Sequence, residues 1–236
     1  MILCHAHRFI FIKTAKTAGS SLEMALTKYC GPEDIITPMS PADERKRAAL
    51  GYPGPRNYQL PRFEYRLKDH LNDLIGRERK KYHKHIGAAE LRDKLDPAIW
   101  RDYFKFAVVR NPFDYVVSLY FWRQRTHNPS VEDFRAWLLS EPNKLTRNRR
   151  ITHIGEQCAV DFMIRYEQFN EGLAEVARRT GLPAVLYEEF RAIGAKAGIR
   201  PQQATTSEMF AGFDAGVALV NALFKDDIDE FGYTPS

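Results

Sequence analysis

The sequence predicts an α/β fold with a central parallel sheet flanked by helices. Three observations carry that expectation. Short β-branched and aromatic runs ("RFIFI", "YFKFAVVR", "AVDFMIRY") alternate with amphipathic helical stretches, the pattern of strands joined by crossover helices. The strand runs are apolar almost throughout, as in a sheet covered on both faces. Two of them lead into a polar loop and then a helix, and open α/β sheets bind ligands beyond the carboxyl ends of their strands.

The first strand, "RFIFI", is short and apolar and ends in the loop "KTAKTAGSS". A helix of about ten residues follows, roughly Ser20 to Tyr29, stopped by "CGP". Pro32 to about Arg62 is rich in Pro, Gly and charge, and reads as a lid, a binding surface or an insertion. "RERKKYHKH", Arg77 to His85, carries five Lys/Arg against one Glu and is either a solvated face or an anion contact. "GAAELRDKLD" is a short helix. "YFKFAVVR" is the second buried strand, and "NP" after it supplies an N-cap in Asn111 and a first-turn Pro112, with Asp114 favouring the same turn. The next helix places Phe113, Val116, Val117 and Tyr120 on one face. "VEDFRAWLLS" is helical, "AVDFMIRY" a strand, and "QFNEGLAEVARRTG" an amphipathic helix closed by Gly181. Ser207 to Phe224 reads as helix despite Gly212 and Gly216, ahead of "DDIDEFGY".

With 236 residues and 44% hydrophobic composition, one domain over residues 1–236 is expected, with a substrate-side insertion at about 32–80. A net charge of +5 favours an anionic ligand, and charge alone leaves nucleic acid, a lipid surface and a polyanionic glycan open. Cys4, Cys30 and Cys158 are too few and scattered for a disulfide framework, and no pair has metal-ligand spacing. Reduced thiols and a cytoplasmic location are expected. Neither a signal peptide nor an apolar run near the roughly 20 residues of a membrane helix is visible.

In the first loop, Gly19 allows close backbone approach, and the N–H groups around Ser20 and Ser21 would face a ligand at the helix N-terminus. Thr17, Ser20 and Ser21 add hydroxyls, and Lys16 adds a point charge. The competing reading is a capping box of Ser20 and Glu23, which would use the same donors. In the second loop, Arg110 stands at a strand end, and Ser118 lies roughly 9 Å up the following helix from Pro112. Arg110 and Ser118 would share one phosphate, unless Arg110 pairs with Asp114. Two loops imply a ligand with two separated anionic groups.

Here the sequence resembles a known family. "KTAKTAGSSLE" resembles the 5′-phosphosulfate loop, and "FAVVRNPFDYVVSLY" the 3′-phosphate motif, of sulfotransferases that use 3′-phosphoadenosine 5′-phosphosulfate (PAPS). The closer likeness is to family 2, which holds carbohydrate sulfotransferases and many bacterial members. "HIGAAELRDKL", "VDFMIRYEQF" and "DDIDEFGY" agree with it, and only about Pro32–Lys80 falls outside the resemblance.

The resemblance implies a P-loop-NTPase-like sulfotransferase fold. It implies Lys16 on the phosphosulfate, with Thr17, Ala18, Gly19, Ser20 and Ser21 cradling the 5′ end, and Arg110 and Ser118 on the 3′-phosphate. PAPS would be the donor and 3′-phosphoadenosine 5′-phosphate (PAP) the product, with no metal, and the acceptor a small molecule or glycan rather than nucleic acid. Two positions depart from the pattern. Ala15 replaces the usual Pro, which would loosen the loop, and Tyr115 replaces a common Arg.

Sulfuryl transfer needs positioning and charge stabilisation, with Lys16 at the leaving oxygen. The resemblance and its pKa make His85 the candidate base, held neutral by Lys81 and Lys84, or else a solvated side chain. His83 would face the opposite way, and Glu23 is the other candidate base. Arg165 and Glu167 would brace the site, touch substrate or simply pair. Tyr120 and Trp122 would pack in the core or stack on adenine.

A P-loop kinase or NTPase is the rival enzyme reading, but the chain lacks Gly-Lys-Ser/Thr, whose hydroxyl would hold Mg²⁺. A non-catalytic polyanion binder using "RERKKYHKH" and "TRNRR" is the other rival. It would show steep salt dependence and no turnover.

Overall fold

Strand β1 (Ile2–Cys4) turns at residues 5–8 into β2 (Phe9–Phe11), which is followed by α1 (Gly19–Thr27), β3 (Ile35–Ile36) and α2 (Pro41–Ala49). Next come α3 (Ala88–Lys94), α4 (Pro97–Asp102), β4 (Phe104–Val109), α5 (Pro112–Arg123), α6 (Val131–Ser140) and α7 (Arg147–Thr152). A small hairpin, β5 (His153–Ile154) and β6 (Gln157–Cys158), precedes β7 (Phe162–Arg165). The chain then runs through α8 (Phe169–Thr180), α9 (Leu186–Ile193), α10 (Thr206–Phe210), α11 (Asp214–Leu223) and α12 (Lys225–Phe231). This computed structural model describes residues 1–61, 79–124, 130–194 and 200–235.

Among the described residues the main sheet has five strands in the order β3-β1-β2-β4-β7. The expected parallel sheet is there as β2-β4-β7, with Phe11 opposite Phe106 and Val109 opposite Arg165. It is extended by β1, antiparallel to both of its neighbours. Sequence reading missed β1, because three apolar residues carry no period of their own.

Strand alternation assigns the two faces. Phe9, Phe11, Phe106, Val108 and Ile164 pack with α1, α8 and α9, while Ile10, Ile12 and Ala107 pack with α3 and with Ile151 of α7. A third cluster gathers α5, α6, α10 and α11 around Phe113, Val116, Val117 and Tyr120, all fully buried. The single helix expected over Ser207–Phe224 is two, α10 and α11, because Gly212 takes a φ of 62°. Among the described residues no helix is long and apolar enough to cross a membrane.

Two other expectations change. The Pro/Gly-rich segment after Pro32 is not a plain loop: β3 pairs with β1, and Ser40 caps α2 ahead of Pro41. Arg47 in α2 is fully buried; it pairs with Glu44 and leaves Nε and Nη1 without a partner among the described residues. Residues 62–78, the rest of that insertion and the start of the basic run, lie outside the described residues. The cysteines are free thiols, but Cys4 and Cys30 are not scattered, since their sulfurs and an Asp34 oxygen lie within 4.8 Å of one another. Each of the two thiols reaches a main-chain carbonyl, and Asp34 accepts from the His5 and Gly31 N–H groups.

Helix α8 crosses β7 at a glycine. A Cβ on Gly172 would lie 2.5 Å from Ile164 Cγ2. Gly172→Ala therefore forces the two elements apart and costs about 1–3 kcal/mol, measured as a lower urea midpoint. An unchanged midpoint would show that this contact yields freely.

Candidate active site

Parallel strands end on the same side, so β2, β4 and β7 deliver three loops to one edge of the sheet. Arg110, directly after β4, donates from Nη1 to the Lys16 carbonyl of the first loop at 2.8 Å. Its guanidinium also lies over the Tyr166 ring, 4.2 Å from the centroid. The Asn111 N–H donates to Glu167 Oε1 at 2.7 Å. The two loops singled out from sequence thus meet, with the segment after β7 as a third wall.

The first loop has an unusual backbone. Lys16 and Ala18 have φ of 61° and 54°, left-handed values that non-glycine residues adopt at a cost of about 1–3 kcal/mol. Alternation of this kind turns successive N–H groups inward and forms an anion-holding concavity. It sits at the N-terminus of α1, whose N-cap, Ala18, has no side-chain hydrogen bond.

The side chains divide differently from the sequence expectation. The Thr14 hydroxyl donates to the Val108 carbonyl at 2.7 Å. The buried Thr17 hydroxyl therefore donates to Thr14 Oγ1, 2.8 Å away, and braces the loop from inside. Ser21 donates to the Gly194 carbonyl at 2.8 Å. Gly19 is needed by the loop itself, because a Cβ there would lie 3.0 Å from Lys13 Cγ and 3.3 Å from the Thr14 carbonyl. Ser20 accepts from Lys13 Nζ at 3.1 Å and keeps its own hydrogen to donate. The Lys16 ammonium lies over the Trp122 ring at 4.2 Å. Tyr120 is core, as expected of it, whereas Trp122 is half-buried at the loop.

The Ser20–Glu23 capping box is not formed. Glu23 is fully buried and binds Lys13 Nζ at 2.6 Å, the Met1 nitrogen at 2.8 Å and Thr37 Oγ1 at 3.1 Å. Burial alone would raise its carboxyl; the Met1 ammonium and Lys13 outweigh burial and bring it down to about 2. Without solvent contact Glu23 is poorly placed to act as a base.

Arg110 does pair with Asp114, at 2.6 Å, as the alternative reading had it. Asp114 is shared with Arg200 at 2.5 Å and with the Thr206 hydroxyl at 3.0 Å, and these cations hold its carboxyl below the usual range against the effect of burial. Ser118 is half-buried two turns along α5. Asn111 caps α5 by accepting from Phe113 N at 3.0 Å. Tyr115 is buried, with its ring edge-on to Phe224. Arg165 and Glu167 do not pair: Glu167 braces Asn111 and accepts from the Tyr233 hydroxyl, and Arg165 lies over the Tyr233 ring.

His85 reaches the same loop from the other side. Its Nδ1 is 2.9 Å from the Lys13 carbonyl. A carbonyl only accepts, so Nδ1 carries the hydrogen and Nε2 presents a lone pair. Burial lowers its pKa to about 4, helped by the Lys13 and Arg147 charges and opposed by the carbonyl bond. The direction matches expectation, but the cause is burial rather than Lys81 and Lys84. His83 is exposed and pairs with Glu90 at 3.2 Å.

Compared with protein families, residues 1–234 match the model described as "Sulfotransferase family", of the family 2 type. The chain belongs to that family. No curated protein and no solved structure matches significantly.

In this sulfotransferase several residues at the site gave no sequence signal. Asn148 accepts from the Ala15 N–H at 2.8 Å and donates to the Ala15 carbonyl at 2.9 Å. This clamp holds the loop at the position where Pro was expected. Lys13 and Arg200 are also tied into the site, and only the hydroxyl, carboxylate and carbonyl partners that folding supplies distinguish them from other basic residues. A cavity of about 30 Å³, room for one water, lies among Thr14, Arg110, Tyr115, Asn148, Thr152 and Asp227. Burial raises the Asp227 carboxyl to about 6.

Two measurements check this geometry. The His85 C2 proton should titrate by NMR with a midpoint near 4, and a midpoint near 6.5 would place the ring in solvent. Glu23, with its pKa lowered from 4.5 to about 2, contributes stability that is present above pH 4.5 and lost as pH falls toward 2. Glu23→Gln should flatten that acid dependence and, by unbalancing Lys13, cost about 3–5 kcal/mol at neutral pH. A Gln variant with the parent's pH dependence would contradict the buried pairing.

Proposed function

We propose that this sulfotransferase moves a sulfuryl group from PAPS to a hydroxyl or amine of a small-molecule or glycan acceptor. The observation that carries the donor assignment is the junction of two cation-bearing loops from adjacent parallel strands, tied by the Arg110–Lys16 bond. One loop offers a helix N-terminus and a left-handed concavity for the 5′ end. The other offers Arg110 and Ser118 for the 3′-phosphate. Three named contacts of Arg110 go to Asp114 and Lys16, which leaves two of its five guanidinium hydrogens for an anion.

In the reaction the acceptor oxygen bonds to sulfur as the bridging S–O bond breaks and PAP leaves. Lys16 stabilises the charge that grows on the bridging oxygen, and the Ser20 hydroxyl and loop N–H groups hold the phosphate. His85 Nε2 takes the acceptor's proton, and its Nδ1–H, fixed on the Lys13 carbonyl, keeps that lone pair in place. Lys16 and His85 are the catalytic pair in this reading. Thr17, Ala18, Gly19 and Ser21 shape the cradle through the backbone. Residues 1–236 act as one domain, with the 32–80 segment on the acceptor side. The free thiols fit a cytoplasmic setting.

Calorimetric titration tests the donor assignment. PAP should bind without added metal and much more tightly than AMP or ATP. Lys16→Ala and Arg110→Ala should each weaken PAP about ten- to a hundredfold, the value of a charge-assisted contact of about 1.5–3 kcal/mol. Equal affinity for AMP and PAP would remove the 3′-phosphate site. A Mg²⁺ requirement would favour a nucleoside triphosphatase.

A further inference from the structure

Lys16 is the residue on which the proposed chemistry turns, yet its backbone sits in a conformation it would not choose alone. The two peptide groups flanking its Cα are both held from outside the loop. The one after it is held by Arg110, which donates to the Lys16 carbonyl at 2.8 Å. The one before it is held by Asn148, which donates from Nδ2 to the Ala15 carbonyl at 2.9 Å. Asn148 also accepts the Ala15 N–H on Oδ1 at 2.8 Å. A peptide N–H only donates and its C=O only accepts, so this pairing fixes the amide's orientation uniquely.

The platform behind Asn148 is firm. Helix α7 is anchored by the buried Ile151 in the apolar layer under the sheet. It is also packed against the start of α3, where a Cβ on Gly87 would lie 3.0 Å from the Arg150 carbonyl. The same short segment at the start of α3 carries His85. Asn148 therefore links the loop bearing Lys16 to the element bearing the proposed base.

We propose that Asn148 is a positioning residue for Lys16: its two-bond clamp on Ala15, together with Arg110, enforces the left-handed backbone that aims the 5′-phosphate cradle. The inference rests on the sulfuryl-transfer reading above. It also accounts for Ala15. Proline would stiffen the chain by its ring but has no N–H to give to Asn148, so here stiffness comes from the clamp.

The clamp acts on one end of the nucleotide only, and the test exploits that. PAP carries both phosphates and adenosine 3′-phosphate lacks the 5′ one, so the two ligands separate a loop effect from a general loss of structure. By calorimetry on the full chain, Asn148→Ala should weaken PAP about tenfold, as for two lost neutral hydrogen bonds, and leave adenosine 3′-phosphate within about twofold. Ala15→Pro should weaken PAP in the parent, where it deprives Asn148 of a donor, and strengthen PAP in the Asn148→Ala background, where it supplies stiffness. Such a change of sign marks direct coupling, whereas independent destabilisation adds. If Asn148→Ala does not fold, Ala15→Pro alone decides: a selective loss of PAP affinity supports the clamp and parent-like affinity overturns it. Equal losses for both nucleotides, or additive effects, would reduce Asn148 to a structural contact. Were the parent to bind neither nucleotide, the sulfuryl-transfer reading would fall and the inference with it.

Discussion

The site depends on the parallel pairing of β2 with β4. With Phe11 opposite Phe106 and the Ile12 N–H on the Phe106 carbonyl, the two strands leave the sheet side by side. Arg110 is then within reach of the Lys16 carbonyl, although the residues are 94 apart in sequence. An antiparallel pairing would send the loops to opposite edges.

Beneath the loop lies a second constraint, the buried carboxylate of Glu23. An unpaired charge at that depth would be costly, and Lys13 cannot leave it. The Lys13 side chain then has to run under the helix start, which accounts for Gly19: a Cβ there would crowd the lysine stem at 3.0 Å. Because Glu23 serves Lys13 rather than a cap, the Gly19 and Ser20 N–H groups are left to the concavity, while the Ser21 N–H bonds the Ala18 carbonyl. A motif that reads as an ordinary helix start is in fact the means by which those donors stay available.

The two departures from the family pattern have different consequences. At position 15 the stiffness usually supplied within the loop comes from α7 through Asn148. At position 115 the tyrosine is buried against Phe224, and the cation that joins Arg110 nearby is Arg200, drawn in through Asp114.

The sequence by itself determined the parallel strands β2, β4 and β7, the strand-loop-helix units that begin with β2 and β4, and the residue types of their two loops, while β1, β3 and α2 carried no such signal. What it determined depends on local periodicity, on caps such as Asn111, and on the Lys, Gly and Ser of one short loop, all legible within a few residues. Folding decided how each donor is spent. Thr17 and Ser21 are turned inward, His85 is neutral because it is buried, and Arg110 serves both Asp114 and the neighbouring loop. Asn148, Lys13 and Arg200 become site residues only because helices α1, α7 and the segment before α10 converge there. A hydrogen-bond partner or a desolvated position is a property of two chain segments together, and one segment's composition does not encode it.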